Sequence, residues 1–217
     1  MDVFGQHWEG HFERICEDWR SRVTAEDTVL IAGDISWAMT PAEALEDLRA
    51  IGALPGRKVL LKGNHDYWWP SLARLQAMLP DGMRAVQNNA LDLGACVVCG
   101  SRGWTLPTEA APLDPGDERL YRRELIRLEL SLQAGQKLAN ERPLVAMTHF
   151  PPLYLSLRDT EVTALMERYG VRCVVYGHLH GAGIATGFTG SHRGIDYYLT
   201  SCDSLGFRLK EIRIPQL

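Results

Sequence analysis

The chain reads as an α/β protein, and three observations carry that assignment. Apolar runs of strand length recur along it, helix-like segments lie between them, and several of the runs end directly in polar residues. With 46% hydrophobic and 23% charged residues, the composition is that of an ordinary globular protein. It excludes disorder, collagen-like repeats and a disulfide scaffold. No internal repeat, low-complexity tract or linker interrupts the 217 residues. At roughly 150 residues per domain as a prior, the simplest organisation is a single domain over 1–217.

The elements follow in order. Trp8, Phe12, Ile15 and Trp19 recur at helical spacing and predict a helix with one buried face. TVLIAG (28–33) predicts a strand ending in glycine, PAEALEDLRAI (41–51) a helix with proline in its first turn, and KVLLKG (58–63) a second strand. A helix is predicted over 69–79, with strands near 85–89 and 95–100. Residues 101–118 are rich in Gly, Pro and Asp, and a loop of that length in a compact domain is usually functional or mobile, so it is expected to cover a site. A long charged helix over 117–140 precedes a strand at 143–148, a helix at 161–169 and a strand at 171–177. Two last strands, 194–202 and 207–214, are expected from their β-branched and aromatic residues, joined by a turn at 203–206.

Charge and cysteine usage narrow the function. Lys+Arg 23 against Asp+Glu 27 gives a net charge of −4, which offers no broad basic footprint for nucleic acid. No apolar run approaches the ~18 residues that span a bilayer, and MDVFGQHWEG lacks the basic and apolar regions of a secretion signal. A cytoplasmic location with no membrane partner is the expectation. The five cysteines are an odd number and sit mostly in apolar runs, so reduced thiols are expected. Cys96 and Cys99 form a C-x-x-C, but ACVVCG reads as a strand, where positions three apart face opposite sides of the sheet. That placement disfavours a shared metal or a redox pair.

Four apolar runs are followed at once by metal-competent residues: TVLIAG by Asp34, KVLLKG by Asn64, His65 and Asp66, PLVAMT by His149, and VRCVVYG by His178 and His180. In sheets of co-directional strands, the carboxyl ends share one edge, and that edge is where α/β proteins place ligands. A carboxylate, an amide oxygen and imidazoles suit Mn²⁺, Fe²⁺ or Zn²⁺, and the absence of thiolates argues against a structural zinc. Taken singly, a histidine after a strand is more often a hydrogen-bonded or exposed residue, and G-D and G-N-H are ordinary turn chemistry. Recurrence at four strand ends is what makes the signal.

These residues resemble the calcineurin-like metallophosphoesterases, and within them a bacterial group of predicted phosphohydrolases, over nearly the whole chain. Gly33-Asp34, Gly63-Asn64-His65-Asp66, His149 and Gly177-His178-Leu179-His180 stand in the family's order. The resemblance implies a four-layer fold, two mixed β-sheets packed as a sandwich flanked by helices, and two divalent transition metals (Mn, Fe or Zn). It implies that Asp34 bridges the metals, that Asn64, His149 and His178 complete the second metal's set, and that His180 serves the first. His65 would stand beside the substrate as phosphate clamp or general acid, with Asp66 orienting it.

One departure stands out. The family's upstream D-x-H motif, which supplies two ligands of the first metal, has no counterpart, since Asp2 is followed by Val3 and Phe4 and no apolar strand precedes it. A first strand missing from this chain, through truncation or a misassigned start, is the expectation. His7 and His11 are an i, i+4 pair that could substitute, but Gly10 lies between them and ligation is disfavoured. His192, in SHRG, is expected to be exposed and without a role.

The functional expectation is hydrolysis of a phosphomonoester or phosphodiester by metal-activated hydroxide, on a small molecule or a phosphoprotein rather than nucleic acid. A non-catalytic or impaired single-metal remnant is the alternative, and a hydrolase of a non-phosphate bond a third reading. Tyr67, Trp68 and Trp69 are read equally as a stacking surface or as core.

Overall fold

In a computed structural model, residues 5–108 and 111–214 are described. A 3₁₀ turn at Gln6–Trp8 precedes α1 (His11–Arg22), so the predicted first helix starts later than its apolar spacing suggested. Gly10, left-handed at φ 61°, separates the two pieces, and His7 and His11 therefore do not share one helix face. The chain continues through β1 (Thr28–Ile31), α2 (Pro41–Gly52), β2 (Arg57–Leu61), α3 (Leu72–Met78) and β3 (Met83–Val86). These strands form a parallel sheet in the order β1-β2-β3. A capping box between Thr40 and Glu43, with Pro41 in the first turn, fixes the start of α2.

The second half supplies β4 (Ala90–Asp92), β5 (Val97–Ser101), α4 (Pro115–Ala139), β6 (Leu144–Thr148), α5 (Glu161–Arg168), β7 (Val171–Tyr176), β8 (Gly190–His192) and β9 (Ile195–Leu199). They form a six-stranded mixed sheet in the order β4-β5-β6-β7-β9-β8, parallel from β5 through β9 and antiparallel at both edges. The long helix begins at 115 because Asp114 caps it, accepting from the Gly116 and Asp117 N–H groups.

Three apolar layers hold four layers of secondary structure together. Leu60 and Ala85 of the small sheet pack on Cys16, Trp19, Leu48 and Leu75 of its helices. Its other face, with Val59, Leu61 and Val86, meets Val98, Val145, Met147 and Val175 of the large sheet. The far face of the large sheet packs through Val97, Ala146 and Val174 on Leu128, Leu132, Val162 and Met166 of α4 and α5. This is the helix–sheet–sheet–helix sandwich that the family resemblance implies, except that the small sheet is wholly parallel rather than mixed. Among the described residues no helix is long and apolar enough to cross a membrane.

Two sequence expectations change. Residues 207–214 are not a strand: the Leu209 N–H donates to Asp18 and the Arg22 guanidinium donates to its carbonyl, so side chains of α1 take the backbone partners a sheet would have supplied. His192 is not an exposed loop residue. It lies in β8, an edge strand hidden from composition by its sequence GSH, and its Nε2 is 3.0 Å from Asp159 Oδ1.

Cys96 and Cys99 point into different apolar layers, the first between the sheets and the second toward α4. Burial pushes the Cys99 and Cys173 thiols up to about 12. In the native protein Cys96, Cys99 and Cys173 should therefore stay silent toward an aromatic disulfide reagent and react together on unfolding in guanidinium. Rapid native labelling of either member of the C-x-x-C pair would contradict this packing.

Candidate metal centre

The parallel strands β1, β2, β6 and β7 deliver their carboxyl-terminal residues to one place. The loops after β1 and β2 approach so closely that a Cβ on Gly63 would collide with the Asp34 carboxylate, and Gly33 adopts φ 100°, open to glycine.

Asp66 ties these loops together. It is fully buried, and both of its oxygens are engaged. Oδ2 accepts from the N–H groups of Asp34 (2.9 Å) and Gly63 (2.7 Å). Oδ1 accepts from the N–H groups of Ile35 (2.8 Å) and Ser36 (3.2 Å) and from the Trp68 indole (3.0 Å). Burial pushes its carboxyl pKa up, the Gly63 and Ser36 donors pull it back, and the Asp34 charge adds to the rise. Asp66 thus holds the backbone on both sides of Asp34 and at Gly63, two residues before His65.

With the loops pinned, the donors converge. The His65 N–H donates to Asp34 Oδ1 (2.9 Å), and Asp34 Oδ2 lies 3.4 Å from His149 Nε2. His149 Nδ1 faces the Ala32 carbonyl at 2.9 Å; a carbonyl can only accept, so Nδ1 carries the proton and Nε2 presents a lone pair. Asn64 Oδ1 sits 2.7 Å from that Nε2 and 2.9 Å from His178 Nδ1, and the two ring nitrogens are 3.2 Å apart. Burial lowers the pKa of both imidazoles, that of His178 to about 4 with the nearby His149 contributing. Both are neutral near pH 7, the state that ligates.

This donor chemistry fits a cation. Donors bound to one ion at ~2.0–2.2 Å lie about 3 Å apart, close to the separations seen here. The His149 lone pair and the Asn64 oxygen are two acceptors facing each other, an opposition that a positive ion relieves. Among the described residues no three or more His, Cys, Asp or Glu side chains by themselves form a group arranged to hold a metal ion. The convergence instead runs through an amide, Asn64.

His180 is placed differently. Its Nδ1 is 2.8 Å from Asp203 Oδ1, Asp203 Oδ2 accepts from the Gly181 N–H, and its ring lies 5.5 Å from that of Trp8. Among the described residues it makes no hydrogen bond to Asp34, Asn64, His149 or His178. Asp203 was missed by sequence reasoning. It sits in what reads as a plain turn after a strand, and nothing in SCDSLG marks its carboxylate, 4% exposed, as a histidine partner. His65 is exposed between the rings of Trp37 (5.9 Å) and Tyr67 (6.3 Å). Tyr67 is open to solvent, whereas Trp68 and Trp69 are core, the Trp69 indole donating to Gln87.

The chain belongs to the calcineurin-like phosphoesterase family, whose model matches residues 6–182. Among solved structures it is similar to the phosphopantetheinyl hydrolase PptH from Mycobacterium tuberculosis, at 16% identity and TM-score 0.54 over 82% of this chain and 79% of that one. It is also similar to the protein of unknown function AQ665 from Aquifex aeolicus, at 17% identity and TM-score 0.46, covering 92% and 80% of the two chains. No curated protein matches it.

Replacing Asp66 with Ala leaves five N–H donors without their acceptor. At ~1–3 kcal/mol per buried unsatisfied group, with partial rescue by water, Asp66→Ala should cost about 3 kcal/mol or more in urea unfolding. An unchanged midpoint would mean the loops are held by something else.

Proposed function

We propose that the chain is a metal-dependent phosphoesterase that hydrolyses a phosphomonoester or phosphodiester. The observation that carries this reading is the meeting of Asn64, His178 and Asp34 around His149, whose Nε2 lies 2.7, 3.2 and 3.4 Å from them in turn. These four residues would hold one divalent ion of the Mn, Fe or Zn type. When bound, such an ion supplies Lewis acidity, which acidifies water and offsets the charge that builds on phosphoryl oxygens.

The chain's own groups do the rest. Asp34 uses one carboxylate oxygen to fix the His65 backbone and leaves the other toward the histidines. His65 reaches solvent beside that cluster, where a leaving oxygen could take its proton, a contribution of ~10²–10⁴-fold when well placed. Asp203 fixes the orientation of His180 and leaves its Nε2 as the ring's second ligating atom. Mild net negative charge favours a small-molecule phosphoester or a phosphoprotein as substrate over nucleic acid.

The remnant reading has one specific support, since the four-residue set accounts for a single ion and His180 stands apart from it. Metal analysis together with turnover of an aryl phosphodiester and an aryl phosphomonoester separates the readings. An active protein whose His65→Ala variant loses ~10²-fold or more in kcat, with metal content unchanged, supports the phosphoesterase. One metal equivalent with no turnover supports the remnant, and hydrolysis of amide or lactone substrates alone supports the third reading.

A further inference from the structure

Arg102 is not used by the chemistry above, yet it stands at the rim of the same site. Its carbonyl accepts from the backbone N–H groups of His149 and Phe150, which ties its main chain to the strand end that carries His149. Its side chain is 19% exposed and its guanidinium lies 4.6 Å over the Trp104 ring. Among the described residues that guanidinium makes no hydrogen bond, and its ion-pair neighbour is Glu124 at a loose 3.8 Å. Glu124 is already satisfied by Arg127 at 2.7 Å and has Arg123 at 3.9 Å.

Three guanidiniums thus share one buried carboxylate. Lys62, the residue before the G-N-H-D run, is half-buried in the field of Arg102, Asp66, Arg127 and Glu124. Among the described residues its ammonium has neither hydrogen bond nor ion pair. A planar fork with five donors, lying over an indole and without a hydrogen bond among the described residues, is suited to an anion with several oxygens. The surplus of positive charge here contrasts with the net −4 of the whole chain.

We propose that Arg102, with Lys62, forms a subsite for a second phosphate on the substrate, so that the chain acts on bisphosphorylated molecules in preference to monophosphorylated ones. This rests on the phosphoesterase reading for the position of the first phosphate. The Trp104 ring lies against the guanidinium, and the Glu124 carboxylate offsets part of the cluster's positive charge.

Calorimetry on the metal-loaded full chain tests it, with fructose 6-phosphate and fructose 1,6-bisphosphate as probes. The bisphosphate should bind the wild type about tenfold or more tightly than the monophosphate, as expected for one added charge-assisted contact. Arg102→Gln should bring the ratio near one, and Arg102→Lys should keep part of it. If Arg102→Gln loses its near-ultraviolet circular dichroism, Lys62→Gln is read the same way. Equal affinities in the wild type, or no binding of either sugar, would overturn the proposal. So would an equal loss for both sugars in Arg102→Gln, which would assign Arg102 to the first phosphate. Aryl phosphoester turnover by the wild type reports separately on the phosphoesterase reading: with no turnover but a retained binding ratio, the phosphoesterase reading fails and with it the substrate preference, while binding of a second phosphate at Arg102 is upheld.

Discussion

The buried carboxylate of Asp66 is the contact on which the site depends. Backbone N–H groups from two separate strand ends, at Asp34 to Ser36 and at Gly63, meet on its two oxygens, with the Trp68 indole as the fifth donor. A loop after a strand ordinarily satisfies its donors with water. Here one side chain satisfies them for two loops at once, which fixes the distance between β1 and β2 beyond the point where their ladder ends. The positive φ of Asp34 (53°) is a conformation such a clamp can impose.

What the clamp secures is an electrostatic opposition. Asp34 and Asn64 bring oxygens, and the neighbouring sheet strands β6 and β7 bring neutral imidazoles whose burial keeps them unprotonated. Acceptors drawn to within about 3 Å of one another repel unless a cation lies among them. The apolar layer between the sheets, where Leu61 and Val86 meet Met147 and Val175, holds together the strand ends that carry these donors. Loosening the inter-sheet layer would relax the donors.

Much of this was legible in the sequence because parallel strands have an unambiguous rule for where their ends go. Four apolar runs ending in Asp34, Asn64, His149 and His178 sufficed to bring distant residues together, and the opposite facing of Cys96 and Cys99 followed from strand alternation. The failures have physical reasons too. Residues 207–214 alternate like a strand, but alternation does not reveal that Asp18 and Arg22 claim the backbone of Leu209. The edge strand β8 has no apolar signal because it buries little. Asp203 and Arg102 carry meaning through partners remote in sequence, His180 and the backbone of His149, and neither lies in a motif. Asp66 was recognised but given a local task, whereas its partners are spread over two loops.

Electron paramagnetic resonance of Mn²⁺ added to the chelator-stripped protein tests the central claim most directly. The account predicts a bound ion with nitrogen couplings from two imidazoles, one of which disappears in His178→Ala. A bound ion with no nitrogen coupling, or a spectrum indifferent to that substitution, would contradict it.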